Sequence, residues 1–471
     1  MNYLEQYELS WKPKLSENTS AILTQLKITL KKDISEGKLT PGTRLPSQRE
    51  LAYYLDVHYS TIGKLYRWGV ENGILNTSIG SGTFISLWSD ASKTVSKRSK
   101  NSDIYDLGLV SSFDECNSFV IDAISKTYKN VATMPHLLSY DNPLGTDKQR
   151  IVGINWLKTQ GVHADVDSMS IVSGAQNALA IILSTLFNPG DRIVVDDFTY
   201  VNFIELARLN KIELVPIKSD SEGMLPDKLL LEQTKKQISG AFLMPSCNNP
   251  LGFQISETRR KELAKIFEQY ETIIIEDDIH SFLTTYSQKN VLSPFQQLLP
   301  NQTVYIASMS KFISPGIRIA FLVYPKNFKK SIEDGIFNIN VQSSSLDAEI
   351  ISNILTSDIS QQILEKKFTL TKQANEIFDK YFNVPRPSNL FPFYRIIPLK
   401  FSPSMQEVEN YFYQNGIQVI HSNRFSIKKE GSNFIRVSLS SLNSLEELNC
   451  ALSLLAKCDK FFSPDVLNKI K

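Results

Sequence analysis

The sequence predicts two structural classes in one chain. A small N-terminal helical unit closes with a β-hairpin, and a larger α/β unit follows, with a largely parallel sheet and a smaller C-terminal α+β lobe. Three observations predict this. Apolar residues recur at helical spacing over the first seventy residues, a Ser- and Lys-rich stretch interrupts the chain near residue 90, and short apolar runs alternate with amphipathic ones beyond it. At 471 residues the chain is too long for one ordinary core. The expected boundaries are 15–87 for the first unit, 88–104 for a linker and 105–465 for the second unit, with its small lobe from about Leu370.

The first helix is expected from about Ser20 to Gly37, with Ile22, Leu23, Leu26, Leu30 and Ile34 as its apolar stripe. Pro41-Gly42 makes a turn. Ser47, with Glu50 three residues on, forms a capping box that starts a second helix, whose inward face is Leu51, Ala52 and Leu55. A third helix runs from Ser60 to about Asn72 with Ile62, Leu65, Tyr66 and Val70 inward. Two β-prone runs then meet at Gly80-Ser81-Gly82, as a hairpin does. Three helices and a hairpin in this order describe a winged helix-turn-helix.

From Leu87 to about Ile104 the chain reads LWSDASKTVSKRSKNSDI, polar and poor in apolar residues, as a flexible tether is. Beyond it come strand-like runs: SMSIVSG, DRIVVDD, IELVPI, GAFLMPS, TIIIEDD, TVYIAS and RIAFLVY. Several are apolar without alternation, the pattern of strands covered on both faces. Helical segments such as AQNALAIILSTLF and SETRRKELAKIFEQY lie between them, which predicts an α/β domain. FYRIIPL, MQEVENYFYQNG and FIRVSLS form the small lobe.

Composition narrows the function. With 42% hydrophobic and 21% charged residues the chain has a globular make-up. No apolar run approaches the roughly 20 residues that span a bilayer. The start, MNYLEQYELS, has no apolar core of a signal peptide, so a cytoplasmic address is expected. Cys116, Cys247, Cys450 and Cys458 share no metal-like spacing, and the five histidines show no helical pairing. Reduced thiols and no metal site follow. Net charge is +2, yet residues 1–100 hold fourteen Lys and Arg against nine Asp and Glu, a surplus of +5 that leaves about −3 for the remainder. Polyanion binding therefore belongs to the N-terminal unit.

GTRLPSQRELA, Gly42 to Ala52, and the glycine-rich GSGTF resemble the GntR-type winged helix-turn-helix over residues about 20–87. The resemblance implies binding to double-stranded operator DNA. Arg44, Ser47 and Arg49 would meet phosphates, Ser60, Thr61, Lys64 and Arg67 would enter the major groove, and Gly82 would let the wing approach closely. Where the family has Ser-Arg before the recognition helix, this chain has His58-Tyr59, so one phosphate-contacting arginine is missing.

The second unit carries the parts an aldehyde cofactor needs. IASMSKFISPGIR supplies Lys311 for a Schiff base, with Ser308, Ser310 and Arg318 for a phosphate. VSGAQNAL is a strand, a glycine turn and a helix start, where Gly174, Ala175 and Gln176 offer backbone amides. Tyr200 follows a strand as a stacking face, Asn249 precedes a proline turn as an amide donor, and Asp277 ends an apolar strand. In this order the segments resemble the fold-type I aminotransferases over about residues 105–465. That resemblance implies pyridoxal phosphate as cofactor, with Lys311 forming the internal aldimine and Asp277 on the pyridine nitrogen. Asn249 would face the ring oxygen, and Tyr140 would reach the phosphate of the partner subunit. Arg436 would hold an effector carboxylate. The family's Glu-Asp-Asp-Tyr phrase has Ile279 in its fourth position here, which removes one donor to the ring oxygen and raises the Schiff-base pKa.

The two parts together resemble the MocR-type (GabR-like) regulators. What this implies is a nucleoid-associated bacterial homodimer, with cofactor domains paired head to tail. It binds operator DNA and senses a small amine, an amino acid or pyridoxal phosphate itself. The alternative is a turning-over aminotransferase with an accessory DNA-binding domain.

Overall fold

The computed structural model describes residues 9–15, 22–35, 38–39, 43–71, 74–78, 82–85, 104–129, 134–287, 291–386, 390–427 and 433–468. Two compact units divide near residue 93. The Pro41-Gly42 turn, Gly80-Ser81 and the expected linker up to residue 103 lie outside the described residues.

In the first unit, α1 (Ile22–Ser35), α2 (Gln48–Tyr54) and α3 (Tyr59–Glu71) precede an antiparallel hairpin of β1 (Leu75–Ser78) and β2 (Gly82–Ile85). The capping box forms as expected: Glu50 N donates to Ser47 Oγ at 3.2 Å, and Ser47 N donates to Glu50 Oε2 at 2.8 Å. Leu26, Leu30, Ile34, Leu51, Ile62, Leu65 and Tyr66 fill the core, and Trp11 joins them from before α1. Trp11 Nε1 donates to Asp33 at 2.9 Å, which ties the segment down. Two expected core residues are exposed. Ile22 sits at the helix start with 44% of its surface accessible, and Val70 keeps 43%. Gly69 takes the inward place that the pattern assigned to Val70, because α3 passes so close to the hairpin that a Cβ there would stand 2.5 Å from Leu75 Cδ1.

The second unit is built on seven strands: β3 (Met169–Val172), β4 (Arg192–Asp196), β5 (Glu213–Ile217), β6 (Gly240–Leu243), β7 (Ile273–Asp277), β8 (Thr303–Ser308) and β9 (Ala320–Val323). Their order is β3-β9-β8-β7-β6-β4-β5. β9 runs antiparallel to both neighbours, and the remaining pairs are parallel. Helices cover both faces: Ile193 and Val195 enter one core and Val194 another, so the strand reads as an unbroken apolar run.

The small lobe is an antiparallel sheet of Tyr394–Pro398, Phe434–Ser438 and Ile420–His421, with helices Met405–Gln414 and Leu445–Lys457. Leu370 falls inside the long helix Ile359–Tyr381, so the chain enters the lobe along a helix rather than at a loop. The lobe also recruits the start of the unit, since Tyr105–Asp106 pairs in parallel with Ile417–Gln418.

Candidate functional site

In the first unit the side chains named from the sequence lie on the solvent side. Arg44, Ser47, Arg49, Ser60, Lys64 and Arg67 are exposed, and Thr61 and Gly82 are half-buried. On α3 this follows from helical spacing: Ile62, Leu65 and Tyr66 face the core, leaving Lys64 and Arg67 outward. Tyr66 Oη donates to Pro46 O at 2.6 Å and fixes α3 against the start of α2. The hydroxyl of Ser47 already accepts the capping bond, so only its proton is left to meet a phosphate. His58 has a role the sequence did not signal. Its Nδ1 accepts from Ser60 N at 3.3 Å and pairs with Ser60 Oγ at 2.7 Å, closing the first turn of α3 and engaging the Ser60 hydroxyl. Gly82 has φ +115, and a Cβ there would lie 3.0 Å from Arg44 Nε, so the wing root and Arg44 pack directly.

In the second unit the carboxyl ends of the parallel strands define one edge of the sheet, the edge where open α/β sheets bind ligands. Asp277 ends β7 and Ser308 ends β8, while Gly174 follows β3 and Tyr200 follows β4. Because β9 is antiparallel, the residues before it, including Arg318, come to the same edge.

Gly174 (φ +87, ψ 167) is the N-cap of helix Ala175–Leu186, and no side chain caps the first turn. A Cβ on Gly174 would lie 2.7 Å from Arg318 Nη2. Arg318 Nη1 reaches Ser310 Oγ at 3.4 Å, and Ser308 Oγ donates to Ser310 Oγ at 3.1 Å. Gly174, Arg318, Ser310 and Ser308 are thus brought together around the uncapped helix start. Ala175 and Gln176 are its first residues, half-buried, with Gln176 Oε1 enclosed and unpartnered. Arg318 itself adopts φ +56, a left-handed backbone that costs a non-glycine residue energy.

Lys311 is half-buried, and its Nζ donates to Val110 O at 2.5 Å. Loss of hydration and the charges of Arg436 and Arg318 lower its pKa to about 7. Asp277 is buried, and its Oδ1 has no partner. Burial and the neighbouring Asp278 raise its pKa to about 7. Tyr200 is pushed up to about 12 by burial and by Asp277. Arg436 is buried on the strand Phe434–Ser438; Nη1 donates to Asn249 Oδ1 at 2.7 Å and Nη2 to Gly108 O at 2.5 Å. Its guanidinium lies 4.8 Å from the Phe425 ring centre, and its Nε is buried without a partner. Since arginine only donates, Asn249 must turn Oδ1 towards it, which leaves Nδ2 to donate elsewhere. Tyr140 stands apart, with 86% of its surface exposed. Ile279 is half-buried just after Asp277 and brings no donor.

Several neighbours carried no signal in the sequence. Lys367, on the Ile359–Tyr381 helix, is fully buried, and its Nζ donates to Lys311 O at 2.8 Å and Ile313 O at 2.9 Å. Asp196 accepts from Asn248 Nδ2 at 3.2 Å, steadying the turn that carries Asn249. His280 is buried against Phe393 and Tyr394, its Nδ1 unpartnered, and burial and Lys311 lower its pKa to about 3. A hydrophilic residue at such spacing usually reads as surface.

Among the described residues no cluster of His, Cys, Asp and Glu could hold a metal, and no helix is long and apolar enough to cross a membrane. The described cysteines are all free thiols, with Cys450 exposed and the other three buried. The site fits pyridoxal phosphate on its own chemistry: an amine, an orphaned buried carboxylate oxygen, an amide donor and a cup of hydroxyls with one guanidinium.

Residues 114–453 match the family described as aminotransferase class I and II, and residues 24–85 match bacterial regulatory proteins of the gntR family. YdeF of Bacillus subtilis, described as an uncharacterized HTH-type transcriptional regulator, is 30% identical over 462 residues, covering 97% of this chain and 98% of that protein. The HTH-type transcriptional regulator NorG of Staphylococcus aureus is 23% identical over 368 residues, 72% of this chain and 81% of its own length. Similar folds occur in Pyrococcus horikoshii kynurenine aminotransferase (TM-score 0.67, 20% identity, 77% of this chain and 92% of that one). Another is LysN, the α-aminoadipate aminotransferase of Thermus thermophilus (TM-score 0.68, 18% identity, 76% and 92%). These units define a transcriptional regulator built with an aminotransferase-like domain. The chain belongs to the GntR family of bacterial regulators, in the MocR type that joins a winged helix-turn-helix to an aminotransferase class I and II domain.

Proposed function

We propose that this regulator is a cytoplasmic dimer that binds operator DNA and responds to a small amine, an amino acid or pyridoxal phosphate itself at Lys311. The observation that carries the reading is the convergence on one sheet edge of a lysine with lowered pKa, the orphaned Asp277 Oδ1 and the cup of Gly174, Ser308, Ser310 and Arg318. Pyridoxal phosphate, when bound, supplies an aldehyde that links covalently to one primary amine at a time, so a lysine and a small amine can exchange on it.

The chain's own residues then divide the work. Lys311 reaches neutral pH substantially unprotonated and is available as a nucleophile. With the cofactor bound, Asp277 would hold the ring nitrogen and Tyr200 would stack. Asn249 would offer Nδ2 to the ring oxygen, because Arg436 takes its Oδ1. Ala175, Gln176 and the cup would hold the phosphate, and Tyr140, exposed on its own chain, would serve the second subunit's site. Arg436 takes an effector carboxylate. On the other unit, Arg44, Ser47 and Arg49 meet phosphates, and Thr61, Lys64 and Arg67 meet the groove, with Gly82 at the wing.

A second reading, a turning-over aminotransferase with an accessory DNA-binding domain, is favoured by the intact Arg436–Asn249 pair. Ile279 and the DNA-binding unit weigh against it. Titrating the purified protein with pyridoxal phosphate tests the first reading: a visible absorbance band should form with the wild type and be absent in Lys311→Ala. A wild type that stays colourless sinks the sensor. Sustained conversion of an amino acid with a keto acid, instead of a single turnover, would make it an enzyme.

A further inference from the structure

Lys311 and Arg436, two of the groups that the proposed function uses, are held by one short piece of backbone. The strap Tyr105–Phe113 passes through the site, and Gly108 O accepts from Arg436 Nη2 while Val110 O accepts from Lys311 Nζ. Further bonds tie the strap to the small lobe: Tyr105 N to Gly416 O, Leu107 N to Gln418 O, Phe113 N to Ser440 O, Ser438 N to Leu107 O, and the Ser440 and Ser441 hydroxyls to Ser111 O and Asp106 O. Lys311 follows β8 in the large domain, so its bond to Val110 O ties the strap to the large domain. Arg436 Nη1 to Asn249 Oδ1 is the corresponding tie from the lobe's own strand.

The middle of the strap is shaped by one of its own side chains. Asp106 Oδ1 accepts from Gly108 N at 2.9 Å and Leu109 N at 3.3 Å, a local turn that presents the two carbonyls. At the far end Phe113 sits at φ +59, a strained backbone for a residue with a side chain. Asp106 Oδ2 and Arg436 Nε are both buried without a partner, and the Asp106 charge acts on Arg436. An incoming carboxylate would therefore compete with Asp106 and with Gly108 O for one guanidinium.

We propose that the strap is a ligand-displaceable latch: the carbonyls of Gly108 and Val110 stand in for a ligand on Arg436 and Lys311, and a ligand that takes these groups frees the strap's middle. The proposal rests on the sensor reading and names its regulation. The strap opens the described part of the second unit, directly after the segment that leads from the first. Ligand occupancy and the freedom of the strap's middle are thereby linked.

Hydrogen–deuterium exchange on the full-length protein, read on peptides covering 105–113, tests this. Lys311→Met without cofactor should exchange these amides about tenfold faster than the wild type, while peptides from β4 and β8 stay unchanged. Wild type saturated with pyridoxal phosphate should show the same acceleration, and this arm needs no variant to fold. Equal protection in Lys311→Met and wild type, or a strap that slows or stays the same on loading, overturns the latch. A wild type that never forms the visible band fails the sensor reading instead, and the Lys311→Met comparison still decides the latch.

Discussion

Arg318 lies on Gly174 so closely that its Nη2 occupies the space 2.7 Å from where a Cβ would be. The backbone of Gly174, at φ +87 and ψ 167, is also one that essentially only glycine adopts. One contact thus fixes both the uncapped helix start and the guanidinium of the cup.

Gly174→Ala should lose on both counts. The strained backbone costs about 1–3 kcal/mol, and Arg318 must swing away from Ser310. Thermal unfolding should show a lower Tm, and the pyridoxal phosphate needed for half-maximal absorbance should rise at least about tenfold, or ~1.4 kcal/mol. Arg318→Lys, which keeps the charge without the planar fork, should weaken binding with little change in Tm.

The amine of Lys311 titrates near neutral pH, so the rate of cofactor capture should rise with pH through about 7. Protonated lysine is not nucleophilic, and the positive charges of Arg436 and Arg318 disfavour the protonated form. Arg436→Met should therefore move the midpoint to higher pH, measured as the rate of appearance of the visible band across a pH series. A midpoint that stays put would show that burial and Arg318 set it without Arg436.

Lys367 holds the carbonyls of Lys311 and Ile313 from a fully buried position. Lys367→Met fills similar space but leaves both carbonyls without their donor, at about 1–3 kcal/mol for a buried unsatisfied group. A lower Tm is expected, with slower cofactor capture. Lys367→Arg should recover less than half of the loss, since a larger head has no room there.

On the DNA side, Lys64 and Arg67 are exposed on α3 and opposite its core face. Replacing either with Ala should lower the slope of log affinity against log salt by about 1 if it neutralises a phosphate. A residue that reads a base should instead change which DNA fragments are selected. Fluorescence anisotropy at several salt concentrations separates the two.

Much of this was legible in the sequence, for identifiable reasons. Six of the seven strands show as apolar runs because both faces are covered, while the edge strand Glu213–Ile217 alternates, and the capping box at Ser47 and Glu50 is a local pattern of two side chains. Asp277 ends its strand, and Gly174 and Lys311 follow theirs within a few residues, which the run boundaries reveal. The strap was not legible, since it acts through the carbonyls of Gly108 and Val110, and backbone oxygens leave no trace in residue type. Lys367 looks like any helical surface lysine until the fold buries it. Periodicity places Val70 inward, yet the hairpin's close approach gives that place to Gly69. In the sequence His58 reads only as a lost arginine, whereas its ring closes the first turn of α3.

The most direct test joins the two units in one number. DNA fragments selected from random sequence by the protein itself serve as probe, and their Kd is measured by anisotropy with and without saturating pyridoxal phosphate, and then with a panel of amines. Linked sites predict a change of about 5-fold or more in Kd, lost in Lys311→Ala. The same Kd under every condition, with the visible band present, would contradict the sensor account.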